Sequence, residues 1–398
     1  MSLLKYRKQF DNAYQEVFQK TLVAKEIMNT RFLPTLKYGA SVERAIMDFS
    51  GVQVRTVTRG SASTIDAIAD TSEFLTVNLE KEAVFHVSDG EMTQTGPLNP
   101  GQTIGMQIAR KVALDLDGRC FAEIRNALYS FDNGDLTTGT SSGVAITLSS
   151  TTVPQMASRM PAKLRSKNNQ EIMTNMVFVT DSYAASDVVQ YLLGKNIDLA
   201  GNVFANGYSG DVSNAALYVS ENLPADATLL SAGTFSDGEI VTINGVVFTM
   251  KTALGAVAGQ VLIGANAAAS ITNLTALINA PTVTTAQGIA ITATADLAVL
   301  AQITAVATSA TVMTITGVGT GRFVVSEGAA NWSWSTNTLH SYFGKKGAID
   351  LVVQDLSEVD MRQTVDRRGV NVFSSYLAGI KTFADGAKKF LNVWILVA

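Results

Sequence analysis

The sequence predicts an α+β fold interrupted by a mostly β insertion, and three patterns carry that reading. Apolar residues recur every four positions from Ile104 to Leu128. Period-two alternation marks Val52–Thr58 and Phe74–Val87, and charge almost vanishes between Ala232 and Thr320. The chain has 398 residues, is 47% hydrophobic and 16% charged, and has a positive mean hydropathy of +0.19. That length allows two or three domains and a sizeable core. A small soluble domain covers about 25–35% of its surface with charged residues. The low charge therefore implies surface buried against other chains, surface made polar by Thr, Ser and Gly, or both.

Net charge is -4 and the pI about 5.4, against the basic balance of proteins that grip nucleic acid through its phosphates. Cys120 is alone, so no intramolecular disulfide forms. With His86 and His340 it leaves too few ligands for the usual N/S metal sites, and no cofactor is expected. Lys5, Arg7 and Lys8 break the apolar run at the N-terminus, which does not read as a signal peptide. The Ala/Thr-rich stretch Ile289–Val318 alternates with Thr and Ser and reads as strands rather than a membrane span.

Each element follows in order. Asp11–Asn29 has helical spacing through Tyr14, Val17, Phe18, Leu22 and Ile27 and ends before Pro34. Lys5–Lys37 holds seven basic residues against three acidic. The plain reading is a solvated helix face, the sharper one a basic arm facing DNA or an acidic neighbour. Val52–Thr58 and Phe74–Val87 form a long hairpin with a Ser/Thr/Ala-rich tip at Gly60–Ser72. Arg59–Glu91 carries seven acidic residues (Asp66, Asp70, Glu73, Glu80, Glu82, Asp89, Glu91) against Arg59 and Lys81. A two-stranded hairpin is marginal in water, so a long one needs something to lie on.

Asn99-Pro100-Gly101 turns the chain into a long helix striped by Ile104, Ile108, Val112, Leu116, Cys120, Ile124 and Leu128, which Asn133-Gly134 closes. Cys120 in that stripe reads as a packed thiol. Thr152 caps a second helix with Val153, Met156, Met160 and Leu164 inward and Lys163, Arg165 and Lys167 near its end. Met176–Thr180 is a short apolar strand. Asp181 or Ser182 then caps a helix through Val188, Val189 and Leu192 to Gly194.

Between Ala232 and Thr320 only Asp237, Glu239, Lys251 and Asp296 are charged, where 16% of 89 residues would be about 14. Asn244-Gly245 between Val241-Thr242-Ile243 and Val246-Val247-Phe248 marks a hairpin. A helix is expected at Ser270–Asn279 and short strands elsewhere. After the block, Ala348–Val353, Val359–Val365 and Val370–Leu377 read as strands. Asp385-Gly386 turns into a last strand, Lys388–Val397, apolar on both faces and so central or covered.

Glu73-Phe-Leu-Thr-Val-Asn-Leu-Glu-Lys-Glu-Ala-Val-Phe-His-Val-Ser-Asp89 is similar to the returning strand of the extended E-loop of tailed-phage major capsid proteins. Pro100–Tyr129 resembles the spine helix of the same family, the Hong Kong 97-type capsid fold. Leu217-Tyr-Val-Ser-Glu-Asn-Leu-Pro224, Lys346-Gly-Ala-Ile-Asp-Leu-Val-Val-Gln354 and Leu377-Ala-Gly-Ile-Lys-Thr-Phe-Ala-Asp-Gly386 resemble its later strands. The resemblance covers about residues 1–225 and 328–398 and rests on the order and spacing of segments. The block between them resembles small β domains of phage structural proteins. The division implied is an N-terminal arm (1–50), an E-loop hairpin (51–97), a peripheral domain with the spine helix (98–175) and a first part of the axial domain (176–230). An inserted β-rich domain (231–327) and the remaining axial and closing peripheral strands (328–398) complete it.

The resemblance implies a structural subunit, not an enzyme. Such a subunit self-assembles into the hexamers and pentamers of an icosahedral shell around double-stranded phage DNA, with the insertion on the outer surface. It implies a virion capsid assembled in the host cytoplasm, DNA touched non-specifically, a portal and a decoration protein as further partners, and no membrane. The arm begins almost at Met1, so a separate scaffolding protein is expected. The acidic hairpin would meet basic residues of a neighbour, which makes Arg59, Asp66, Asp70, Glu73, Glu80, Glu82, Lys345, Lys346, Arg367 and Arg368 the candidate assembly interface. The plain reading of these charges is solvated surface, because exposed pairs contribute only about 0–1 kcal/mol each.

Enzyme signals are weak. Gly317-Val-Gly319-Thr-Gly321 has the wrong spacing for a dinucleotide loop, no G-x-S-x-G elbow occurs, and His86 and His340 read as structural. No Lys–Asn crosslinking pair is identifiable. Two alternatives stay open: a phage tail or adhesin-type protein that binds through the β block, and an encapsulin-like cargo shell.

Overall fold

A computed structural model describes residues 22–32, 40–48, 52–56, 59, 65–66, 68–88, 100–167, 174–193, 208–212, 215–328, 331–356, 360–363 and 368–397. In chain order its elements begin with α1 (Val23–Ile27), β1 (Ser41–Asp48), β2 (Ala69–Thr76), β3 (Leu79–Ser88), α2 (Pro100–Ala122), β4 (Tyr129–Phe131) and α3 (Thr152–Lys167). Next come β5 (Met176–Thr180), α4 (Ser182–Leu193), β6 (Tyr208–Val212), β7 (Ala215–Val219) and β8 (Ala225–Ser231). They are followed by β9 (Ile240–Ile243), β10 (Val246–Lys251), β11 (Gln260–Leu262), α5 (Ala267–Asn279) and α6 (Thr294–Leu300). The chain closes with β12 (Ile303–Ser309), β13 (Val312–Gly317), β14 (Val325–Glu327), β15 (Trp332–Lys345), β16 (Asp350–Leu356), β17 (Asp360–Gln363), β18 (Gly369–Lys381), α7 (Ala384–Ala387) and β19 (Phe390–Leu396). The fold is α+β, in two compact units: Met1–Ala113 with Gly347–Lys389, and Leu114–Lys346 with Phe390–Ala398.

In the first unit β1 pairs antiparallel with β2, from Ser41↔Thr76 to Asp48↔Ala69. β18 takes β3 along a continuous register from Gly369↔Ser88 to Ala378↔Leu79, and takes β16 and β17 in succession on its other side. The core here is Leu75, Val77, Val352 and Phe383, with Phe32, Val42 and Leu377 against it. Gly379 is needed at this seam, since a Cβ there would stand 2.8 Å from the Thr76 carbonyl oxygen.

The sequence places the outgoing strand of the hairpin at Val52–Thr58. The structure moves it to β1, and residues 52–56 are exposed and join no ladder. Alternation alone selects no partner. Val42 has one, because its side chain packs onto the Leu75–Phe383 cluster. The returning strand also divides at Val77–Asn78, so that β2 and β3 belong to different sheets. The arm helix expected from Asp11 is described only as α1, its residues up to 21 lying outside the described ones.

In the second unit nine strands form one sheet in the order β12-β13-β8-β15-β5-β7-β6, with β19 between β15 and β4. β19 is central, antiparallel to β15 and parallel to β4, and Phe390, Leu391, Val393 and Ile395 along it are all buried. β5, α4 and β7 make a parallel β–α–β unit. Asp181 caps α4, its Oδ1 accepting from Ala184 N–H at 3.0 Å.

α2 ends at Ala122 in a 3-10 turn, Glu123–Asn126. Val112, Leu116, Cys120 and Ile124 are buried, but Leu128 is 54% exposed. Leu128 lies beyond the 3-10 turn, outside the helix, so the helical stripe does not reach it. α3 buries Val153, Met156, Met160 and Leu164 as expected. Its cap is Ser149 rather than Thr152. Ser149 Oγ accepts from Thr152 N–H at 3.1 Å while Thr152 Oγ1 accepts from Ser149 N–H at 2.8 Å, a reciprocal box.

The low-charge block distributes its strands over two sheets. β12 and β13 extend the nine-stranded sheet through β8, whereas β11-β10-β9-β14 form a separate four-stranded one. Asn244 (φ 47°) and Gly245 (φ 86°) make the expected two-residue turn between β9 and β10. α5 buries Ile271, Leu274, Leu277 and Ile278 and is capped by Asn266. α6 replaces an expected strand. The Gly-rich turn after β13 packs its backbone on α2: a Cβ on Gly118 would lie 2.6 Å from Gly319 Cα, with Gly319 at φ +67°.

Candidate assembly surface

Nine of the ten candidate charges lie among the described residues, Lys345 and Lys346 in the second unit and the others in the first. Arg59 is exposed. Asp66 is held within its own loop: Arg55 Nη1 and Nη2 donate to its two carboxylate oxygens at 2.8 and 2.7 Å, and Gln53 N–H adds a third bond at 2.9 Å. The Arg55 bond, then the Gln53 amide, keep this carboxyl below the usual carboxylate range. Asp70 lies on β2 opposite Met47, its side chain outside the described residues. Glu73, opposite Arg44, accepts from Ala384 N–H at 3.1 Å and so serves the start of α7.

Glu80 and Glu82 stand exposed on β3 opposite Leu377 and Ser375. Arg368 is exposed at the other end of the same ladder, beside Gly369↔Ser88. Six residues from Glu82 to Ser88 are about 20 Å of strand, so these charges do not pair with one another. Lys345 ends β15, Lys346 is exposed and donates its N–H to Asn175 O at 2.9 Å, and Arg367 lies outside the described residues.

Two features of the surface escaped the sequence reading. The first is apolar. Val54 is 105% exposed, Ile65 93%, Phe74 53% and Ile68 51%, all on or before β2 and flanking the Arg55–Asp66 pair. Single exposed apolar residues are ordinary, and these four fall within 21 consecutive sequence positions. Alternation at Val52 and Val54 was the only signal for it.

The second is a cluster at the base of the hairpin. Asp350 is buried, accepts from Asn29 Nδ2 at 2.5 Å, and lies 3.8 Å from Arg31 Nε and 4.0 Å from Arg44 Nη1. Arg44 Nη2 pairs at 2.5 Å with Asp385. Burial pushes the Asp350 carboxyl up to about 6, against the opposing pull of Arg31, Asn29 and Arg44. Burial also acts to raise Asp385, but Lys389 and Arg44 outweigh it and hold that carboxyl low. Nothing in sequence links Asn29, Arg44, Asp350 and Asp385, which only the fold assembles.

His86 Nδ1 lies 2.8 Å from Asn371 Oδ1 across the β3–β18 ladder. His340 is buried between Asn392 Oδ1 (3.0 Å) and Asp226 Oδ2 (2.9 Å). Arg125 joins that group, donating to Asp226 Oδ1 at 2.6 Å and to the carbonyls of Gly317 and Ala225 at 3.0 Å each. The buried Cys120 thiol is raised well above its ordinary range, by burial first and by Asp117 and Glu123 after it. A buried thiol held protonated is a poor nucleophile. No helix among the described residues is long and apolar enough to cross a membrane.

No protein-family model matches the chain, and no curated protein does. Among solved structures the chain is similar to one from Mycobacterium phage Che8, at 15% identity and a TM-score of 0.47, covering 94% of this chain and 90% of that one. It is similar to the capsid structure of cyanophage P-SCSP1u, at 12% identity and a TM-score of 0.44, covering 90% and 84%. It is likewise similar to the capsid of Ralstonia phage GP4, at 8% identity and a TM-score of 0.44, covering 90% and 84%.

Proposed function

We propose that this chain is the major capsid subunit of a tailed bacteriophage, assembling into the hexamers and pentamers of an icosahedral shell around double-stranded DNA. The observation that carries the reading is that Val54, Ile65, Ile68 and Phe74, on or before β2, stand in solvent. Exposed apolar side chains gain stability when they are buried against something else. In a closed shell that something is the neighbouring copy. Assembly then proceeds by apolar burial, and the exposed Arg59, Glu80, Glu82, Lys346 and Arg368 set register through many weak contacts. The low overall charge fits a chain whose surface is largely covered by its own copies.

Electron microscopy of the purified chain, alone and with a co-expressed scaffolding protein, tests the reading. Shells or rings of five and six subunits are expected. The double variant Val54→Asp/Ile65→Asp is expected to keep the circular-dichroism spectrum of the parent and to form none. A parent chain that stays monomeric or trimeric under both conditions sinks the capsid reading and favours a tail or adhesin protein that binds through its β block.

A further inference from the structure

The chain just after α1 docks on β16. Asn29 bridges Asp350 in parallel, on the side of β16 that β18 does not take. Three backbone bonds make the contact: Asn29 N–H to Ile349 O at 2.8 Å, Leu351 N–H to Asn29 O at 2.9 Å and Gly347 N–H to Ile27 O at 2.7 Å. Leu22, Ala24, Ile27 and Met28 are buried, and the Phe32 ring lies 6.1 Å from that of Phe383. The Asp350 side chain belongs to this contact and is only 3% exposed.

That carboxyl is poorly supplied with donors. Its one side-chain hydrogen bond among the described residues comes from a neutral amide, Asn29 Nδ2. Arg31 Nε at 3.8 Å and Arg44 Nη1 at 4.0 Å lie beyond hydrogen-bond reach. Arg44 donates instead to Asp385, and Lys389 reaches the same oxygen at 3.3 Å. Even so, Asp385 Oδ1 is shielded from solvent with no hydrogen-bond partner among the described residues. Lys381 stands opposite Asp350 on β18, and Glu73 opposite Arg44 on β2. A buried carboxylate so short of donors carries a desolvation cost that the neutral acid avoids.

We propose that Asp350 is a proton-operated latch: as the neutral acid it holds residues 22–32 on β16, and on ionising it loosens them. Burial first, with the Asp385 charge acting the same way, raises this carboxyl to about 6 against Arg31, Asn29 and Arg44. A value raised in the docked state means that the hold is full below about pH 4 and is lost as pH rises through about 6. The segment yields before the sheet does, because β18 grips β16 along a whole ladder, from Asp350↔Lys381 to Leu356↔Tyr376. Loosening bares the Gly347 and Leu351 N–H groups and the Ile349 carbonyl, a strand edge covered in acid and more open at neutral pH. The latch belongs to the single chain and needs no shell.

Hydrogen exchange of the full chain, read by mass spectrometry from pH 4 to 8 and corrected for the intrinsic rate at each pH, tests the latch. Peptides covering 22–32 and 347–352 are expected to lose protection by about fiftyfold between pH 4 and 7 and to level off above, while β18 peptides change little. Asp350→Asn is expected to keep the acid level of protection at pH 7.5. Protection of 22–32 that does not vary with pH, or that falls as steeply in Asp350→Asn, would overturn the proposal. So would β18 peptides that lose protection in step with 22–32, since the effect would then be global unfolding and not release of one segment.

Discussion

Replacing Asp350 by Asn should make this protein more stable at neutral pH, although it removes a buried carboxylate beside two arginines. The carboxyl titrates at about 6 in the fold, where the ordinary value is 3.8, with burial as the main cause. Between those values the folded chain retains a proton that the unfolded chain has released. Stability from this site is therefore fully present below about pH 4 and is lost as pH rises through about 6. At about 1.4 kcal/mol per pH unit the loss is on the order of 3 kcal/mol. Asn keeps the Oδ1 that accepts from Asn29 and carries no charge to desolvate. Urea denaturation of parent and Asp350→Asn at pH 4.5, 6.0 and 7.5 reads the effect. The variant should lead by about 1 kcal/mol at pH 4.5 and by about 3 kcal/mol at pH 7.5. A variant equally or less stable at pH 7.5, with parallel pH curves, would refute the reasoning. It would mean that attraction to Arg31 and Arg44 exceeds the cost of burial.

Three further outcomes follow from packing and hydrogen bonding. Gly118→Ala drives a Cβ to 2.6 Å from the Gly319 backbone and should cost about 1–3 kcal/mol by denaturation midpoint, whereas Val306→Ala, at an exposed position, should stay within about 0.5 kcal/mol. Asn279 covers the open edge of β12, donating from Nδ2 to Ala305 O at 2.8 Å and accepting from Ala305 N–H at 2.9 Å. Asn279→Ala should lose about 1–2 kcal/mol and raise light scattering on mild heating. Arg125→Ala strips Asp226 and two carbonyls of their donor, and a loss of about 3–5 kcal/mol in thermal or urea unfolding is expected.

Period and turn chemistry made much of this fold legible from residues alone. The inward face of α3, the Asn244-Gly245 turn, the Asp181 cap and the apolar β19 are local matters, in which neighbours along the chain decide the outcome. Partner choice was not legible. Val52–Thr58 and Ser41–Asp48 alternate alike, and only the Leu75–Phe383 cluster selects the second as the strand. Charge counts marked the hairpin as acidic, but they did not show that Asp66 is bound by Arg55 and that Glu73 serves α7. The sequence by itself determined the α+β class, the positions of most helices and strands, and the block with almost no charge. The tertiary structure alone decided that this block shares the β8 sheet, that Asn29, Arg44, Asp350 and Asp385 meet, and that β19 pairs with Thr338–Gly344 of β15. Local propensity acts over a few residues, whereas those contacts join positions up to 321 apart, where burial and geometry choose among many chemically equivalent partners.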